Sequence, residues 1–170
     1  MPATTLLANL LMMPYSVAMQ YGRTFQSPLG LLYLRCNETQ VTGLSFHSLE
    51  QNLPEQHPLL DEACQQLEEY FQGNRKVFSL PLLIEGTPFQ KRVYSALLAI
   101  PYGQTASYET IALRIGNTKA YRAVGMANKR NRIALLLPCH RVVGKNGSLV
   151  GYEGGLDKKA WLIDFERDNR

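Results

Sequence analysis

"SYETIALRIGNTKAYRAVGMANKR", residues 107–130, is the stretch on which the fold of this chain turns. Ile111 and Ile115 stand four apart, one face of a short helix that opens at Ser107 and closes at Gly116. "NT", Asn117 and Thr118, then reads as the cap of a second helix, Lys119 to Arg130, which carries Lys119, Arg122, Lys129 and Arg130. Two short helices joined by a Gly-Asn turn make either an ordinary helical hairpin or a helix-turn-helix. The basic second helix favours a helix-turn-helix that meets DNA.

Upstream, "TPFQ" (Thr87 to Gln90) offers a capping threonine, a proline at the first helical position and a glutamine three residues after the cap. Phe89, Val93, Leu97 and Ile100 form the buried stripe of the helix that follows, and "PYG" at Pro101 to Gly103 stops it. Downstream, "NRIALLLPCHRVVGKNGSLVGYEGG" holds glycines at 144, 147, 151, 154 and 155, a density that marks backbone turning sharply around a close approach. Within it Cys139 stands just past three leucines and Pro138, beside His140. A Cys-His dipeptide alone is weak evidence for catalysis, because adjacent side chains usually point apart. The closing "LDKKAWLIDFER" is an amphipathic helix with Trp161 and Phe165 one turn apart and Glu166 near its end. A carboxylate there opposes the helix dipole and requires a partner.

The first half has a different texture. "GLLYLRC" and "VTGLSF" are rich in strand formers, and the polar "CNETQ" overlaps their junction, which predicts a hairpin. "LLDEACQQLEEYFQG" changes period: Leu60, Cys64, Leu67 and Phe71 mark one helical face ending at Gly73, with Cys64 as packing. The predicted fold is an α/β N-terminal domain with a small hairpin-built sheet over residues 21–85, then a mostly helical domain with a helix-turn-helix over residues 86–170. Residues 1–20 form an unassigned extension. They are apolar but lack the positive segment of a secretory signal, and translation from Met12, Met13 or Met19 is an alternative.

Residues 1–85 hold four Lys/Arg against eight Asp/Glu, a net −4, and residues 86–170 hold fourteen against six, a net +8. Segregated positive charge fits either a polyanion-binding domain or a solvated surface of one sign. Three cysteines, Cys36, Cys64 and Cys139, are odd in number and too far apart for a zinc knuckle, so a reducing compartment is expected. No apolar run approaches the roughly 20 residues of a membrane helix.

Taken together, "GTPFQKRVYSALLAIPYGQTASYETIA", "YRAVGMANKRN", "PCHRVVGKNGSLVGYEGG" and "KKAWLIDFE" resemble the O6-alkylguanine-DNA alkyltransferase family. The resemblance covers essentially all of residues 86–170 and extends more weakly to "SPLGLLYLRCNETQVTGLSF" and "LEEYFQGNR". It implies DNA repair by irreversible, stoichiometric transfer of an alkyl group from O6-alkylguanine, and from O4-alkylthymine, to the protein's own Cys139. It also implies that His140 deprotonates this thiol through a bridging water, that Glu166 orients His140, and that Asn131 ties the cysteine loop to the helix-turn-helix. Tyr108 is implied to hydrogen-bond the guanine ring, and Tyr152, Gly154 and Gly155 to wall the pocket, with the Cys139 and Val142 carbonyls accepting the guanine amino group.

Arg122 matches the arginine that fills the gap left by the flipped nucleotide. O6 of a paired guanine lies within the stack, so the base must leave it, at roughly a few kcal/mol. Small Ala123, Gly125 and Ala127 would let the second helix lie close in the minor groove, beside Lys119, Lys129 and Arg130. The chain departs from the family at Glu153, where many relatives have serine or alanine, and at Tyr94, which replaces a commoner tryptophan. Glu153 at the pocket either turns outward or enters and narrows the substrate range. Zinc-binding cysteines of some relatives have no counterparts here, so no metal and no cofactor are expected. The expected partner is double-stranded DNA carrying alkylated bases and not a membrane, for a monomer in the cytoplasm, or the nucleus of a eukaryote. Two readings compete: a lesion-binding protein without catalysis, against which Cys139 is intact, and a thiol hydrolase, which would need an oxyanion hole and a deacylating water.

Overall fold

The computed structural model describes residues 18–48 and 52–170. The expectation for residues 1–17, with the alternative starts at Met12 and Met13, lies outside the described residues. The predicted hairpin is present as β2 (Gly30–Cys36) and β3 (Val41–Ser45), and β1 (Tyr21–Ser27) pairs antiparallel on its other side, giving the order β1-β2-β3. Leu32, Leu34 and Cys36 alternate inward along β2, as a half-buried strand requires. A bulge between Arg35 and Cys36 shifts the pairing with β3.

α1 (Pro58–Phe71) starts where Pro58 occupies the first turn and the His57 ring caps Leu59 N. Its buried face is Leu60, Ala63, Leu67 and Tyr70, while Cys64 and Phe71 are half-buried. The inward stripe is therefore rotated by about one position from the expected one at its C-terminal end. α2 (Pro88–Leu98) begins with the expected capping box, Thr87 and Gln90 bonding each other's backbone, and buries Val93 and Leu97. Tyr94 packs in the core and donates its hydroxyl to Ala127 O at 3.1 Å.

The helix pair is α3 (Tyr108–Arg114), capped by Ser107, and α4 (Tyr121–Lys129). One expectation fails: α4 begins at Tyr121, its cap residue Ala120 makes no side-chain bond, and Asn117 and Thr118 do not cap it. Gly116, at φ +77°, ends α3 left-handed, with Gly116 N bonded to Leu113 O and Asn117 N to Ala112 O. Asn117 is thus spent on closing α3, and Lys119 stands exposed in the turn. Two-residue strands β4 (Ala106–Ser107) and β5 (Val142–Val143) pair in parallel, and α5 (Leu156–Asp168) closes the chain.

The two halves share one core. Leu44 in β3 bonds Arg132 O through its N–H and Ala134 N through its carbonyl, both at 2.9 Å, so the segment after α4 continues the sheet edge. Ile133 to Leu137 are all buried, and Leu135 adopts φ +70° in the turn that delivers the chain to Cys139. No helix among the described residues is long and apolar enough to cross a membrane.

Candidate active site

Three buried leucines and a tight turn explain why Cys139 follows an apolar run: Leu135, Leu136 and Leu137 anchor the segment, and Cys139, in a 3₁₀ turn over Cys139–Arg141, is presented at its end. β5 pairs with β4 at the start of α3, which fixes this turn against the helix-turn-helix. The side chain of Asn131, at the end of α4, completes the tie. Its amide N–H donates to Leu137 O at 2.9 Å and to Cys139 Sγ at 3.2 Å, and its oxygen accepts from Ile133 N at 2.9 Å. Cys139 is 5% exposed. Burial pushes its thiol up from the ordinary range, opposed by the Asn131 bond and the charge of Lys159, so the resting group is a protonated thiol that needs a base.

His140 and Glu166 are brought together as expected: His140 Nε2 lies 2.8 Å from Glu166 Oε1, both side chains essentially without solvent. Nδ1 of His140 is buried and has no protein partner. Burial lowers the imidazole below its ordinary value, outweighing the carboxylate that would raise it, so His140 is neutral at pH 7. The Glu166 carboxylate has several further donors. Arg141 grips it with Nε and Nη2 at 2.8 and 3.0 Å, Tyr70 Oη donates at 2.8 Å, and Gly103 N at 3.1 Å. Burial alone would push this carboxyl up. The bonds and charges of His140 and Arg141 overcome that and hold it well below the usual carboxylate range.

Cys139 opens into a cavity of about 760 Å³ whose lining includes Tyr108, Tyr152, Gly125 and Asn128 and, towards the surface, Arg122, Lys129 and Met126. Tyr108 Oη donates to Val150 O at 2.8 Å, and burial raises its hydroxyl above the ordinary value. Lys159 is fully buried at the back of this wall: its Nζ donates to Val150 O and Gly151 O at 2.9 and 3.2 Å and lies 5.8 Å from the Tyr108 ring centroid. Burial lowers its ammonium to about 8. Arg122 is exposed at the rim, its guanidinium 5.8 Å from the Tyr121 ring centroid.

Glu153 lines the same cavity, with its carboxylate bonded to the end of β3. Its carboxylate accepts from the Ser45 hydroxyl and from Phe46 N at 3.2 Å, and its carbonyl lies 2.9 Å from His47 Nε2, so it straps the pocket wall to the end of β3. Val142, Gly154 and Gly155 lie outside the cavity lining, as do Lys119, Ala123 and Arg130. Val142 is buried in β5; Gly154 is required by Phe46, whose ring a Cβ would meet at 2.8 Å.

Three residues of the site were not among those read from the sequence. Arg141 had a signal in its place next to Cys139 and His140, and Lys159 shares the spacing 159, 162, 166 with Leu162 and Glu166 on one face of α5. Tyr70 had none, since it comes from the other half of the chain. Among the described residues no cluster of three or more His, Cys, Asp or Glu could hold a metal.

Residues 20–84 match the family model "6-O-methylguanine DNA methyltransferase, ribonuclease-like domain", and residues 88–168 match "6-O-methylguanine DNA methyltransferase, DNA binding domain". The constitutive methylated-DNA–protein-cysteine methyltransferase of Bacillus subtilis is 46% identical over 159 residues, 88% of this chain and 96% of the relative. The crystal structure of the Mycobacterium tuberculosis O6-methylguanine methyltransferase superposes with a TM-score of 0.81 at 42% identity, covering 89% of this chain and 95% of that one. A second structure, Mycobacterium tuberculosis OGT in complex with DNA, gives 0.80 at 42% identity, with 88% and 94% covered. The helix pair, the buried Cys-His-Glu group and these matches agree: the chain belongs to the 6-O-methylguanine DNA methyltransferase family.

Proposed function

We propose that this chain repairs double-stranded DNA by taking the alkyl group of O6-alkylguanine, and of O4-alkylthymine, onto Cys139. The observation that carries the proposal is the position of Cys139: its sulfur opens into a cavity rimmed by the basic helix α4, with the His140–Glu166 pair behind it. A DNA complex of a relative with a TM-score of 0.80 supports the same partner. Arg122 at the rim holds the gap while the flipped base enters, and Lys119, Ala123, Gly125, Lys129 and Arg130 lie along the phosphates and groove.

His140 takes the thiol proton on the path through Nδ1, while Glu166 at Nε2 stabilises the imidazolium. Asn131 donates to the thiolate as it forms. The thiolate attacks the alkyl carbon, the carbon–O6 bond breaks, and its electron pair stays on the base. The base regains one proton, the equivalent of the one Cys139 lost, and Tyr108 lowers the cost by turning its hydroxyl from Val150 O to hydrogen-bond the ring. Tyr152 and Glu153 line the pocket, Glu153 with its carboxylate taken by Ser45 and Phe46, and Val142, Gly154 and Gly155 hold the backbone that carries them. The thioether is not hydrolysed, so each molecule acts once, as a monomer that needs no metal or cofactor. We place the functional boundary at residues 85/86, with 1–20 outside both parts, and the protein with the DNA it serves, in a prokaryotic cytoplasm or a nucleus.

Incubation with a duplex containing one O6-methylguanine, followed by intact mass and peptide mapping, is expected to find one methyl on Cys139. Cys139→Ser is expected to bind the same duplex and gain no mass. Tight binding by the natural protein without a mass change would favour the lesion-binding alternative.

A further inference from the structure

Glu166 is reached from both halves of the chain. α5 carries it, the 3₁₀ turn supplies His140 and Arg141, the loop after α2 supplies Gly103 N, and α1 supplies Tyr70. Tyr70 is fully buried among Phe71, Phe78, Tyr102 and Phe165, and its hydroxyl spans 96 residues of sequence to reach Oε1 at 2.8 Å. The same Oε1 faces His140 Nε2 at 2.8 Å. An aromatic cluster of this kind packs equally well around phenylalanine, so packing alone does not call for the hydroxyl.

We propose that Tyr70 is a positioning residue for alkyl transfer, a donor from the N-terminal half that competes with His140 for Glu166 Oε1 and so sets how strongly the carboxylate draws on the imidazole. The inference rests on the acid–base roles given above to His140 and Glu166. Its physical basis is that donors to one oxygen share its charge: Tyr70 Oη, His140 Nε2 and Arg141 Nη2 all face Oε1, and each bond made there leaves less charge for the others. Removing the Tyr70 hydroxyl leaves more of that charge for His140 Nε2–H, which stabilises the imidazolium and makes it form at higher pH. The other charged or titratable groups facing the pair are Arg141 in the turn, Tyr102 after α2, Tyr152 in the pocket loop and Lys159 on α5. None of them makes a side-chain hydrogen bond to Oε1 except Arg141, so the effect of Tyr70 is separable from theirs.

The test is Tyr70→Phe, read in two ways. The His140 Nε2–H proton resonance at neutral pH is expected to move downfield, and the acid limb of single-turnover transfer from an O6-methylguanine duplex to rise by about half to one pH unit, the equivalent of one net hydrogen bond. The rate should therefore fall roughly threefold to tenfold on that limb and little at pH 8. Tyr102→Phe, in the same cluster, should move neither. An unmoved resonance in folded Tyr70→Phe, an equal rate loss at all pH values, or an equal shift in Tyr102→Phe overturns the proposal. Should Tyr70→Phe fail to fold, 3-fluorotyrosine at position 70, a stronger donor, must move the resonance upfield, and a downfield or absent shift overturns the proposal equally. The resonance is read without DNA, so failure of the repair reading, seen as no alkyl uptake by the natural protein, is distinguished from failure of this one.

Discussion

Glu166 is a buried carboxylate kept charged by five donor contacts, and its removal exposes how much depends on it. Glu166→Gln leaves Arg141 in the interior without its counter-charge, which costs about 3–5 kcal/mol. Because the folded carboxyl lies below its unfolded value of about 4.3, its contribution is complete above roughly pH 5 and is lost as pH falls from there. Urea midpoints between pH 3 and 7 are expected to decline on the acid side for the natural protein, and to be low but flatter for Glu166→Gln. The sequence pointed to Glu166 through a local conflict, a negative charge at a helix C-terminus, and that conflict was the signal of a partner. It did not point to Tyr70, because the spacing 60, 64, 67, 71 fits a helical face as well as 60, 63, 67, 70 does, and no local rule says that a tyrosine reaches across the core.

At the scale of elements, α4 is the piece whose surface matters more than its stability. Gly125 stands in the middle of it, and an added Cβ would meet only the Tyr108 ring at 3.8 Å, an ordinary contact. Gly125→Ala is therefore expected to stabilise the fold by about 0.5–1 kcal/mol in a thermal melt. Where this face lies in the groove, the same methyl weakens duplex binding in a titration and slows transfer. Stabilisation with undiminished DNA affinity would take α4 out of the interface. The start of α2 was legible because Thr87, Pro88 and Gln90 satisfy one another within four residues. The start of α4 was misread because Asn117, a sound cap by type, is used by the end of the preceding helix, and a residue that can serve two neighbours gives no sign of which it serves.

Across the whole molecule, charge and core are divided differently. The charge splits into a −4 half and a +8 half, whereas the core is continuous and Leu44 bonds backbone on both sides of the divide. If the basic half is the interface, the logarithm of duplex affinity should fall linearly and steeply with the logarithm of salt, by roughly one unit of slope per phosphate neutralised. A flat response would assign the charge to solubility alone. Asn131 adds a consequence in time. Its amide holds the Leu137 carbonyl and the Cys139 sulfur together in a site that is 5% exposed. A thioether is a poorer acceptor, and a buried amide N–H left without a good one costs about 1–3 kcal/mol. The alkylated protein should melt several degrees below the fresh one in differential scanning calorimetry, at about 2–4 °C per kcal/mol for a chain of this size. Each molecule would then carry a record of its single use in its own lability, and the heat-sensitive fraction of a population would count the lesions it has met.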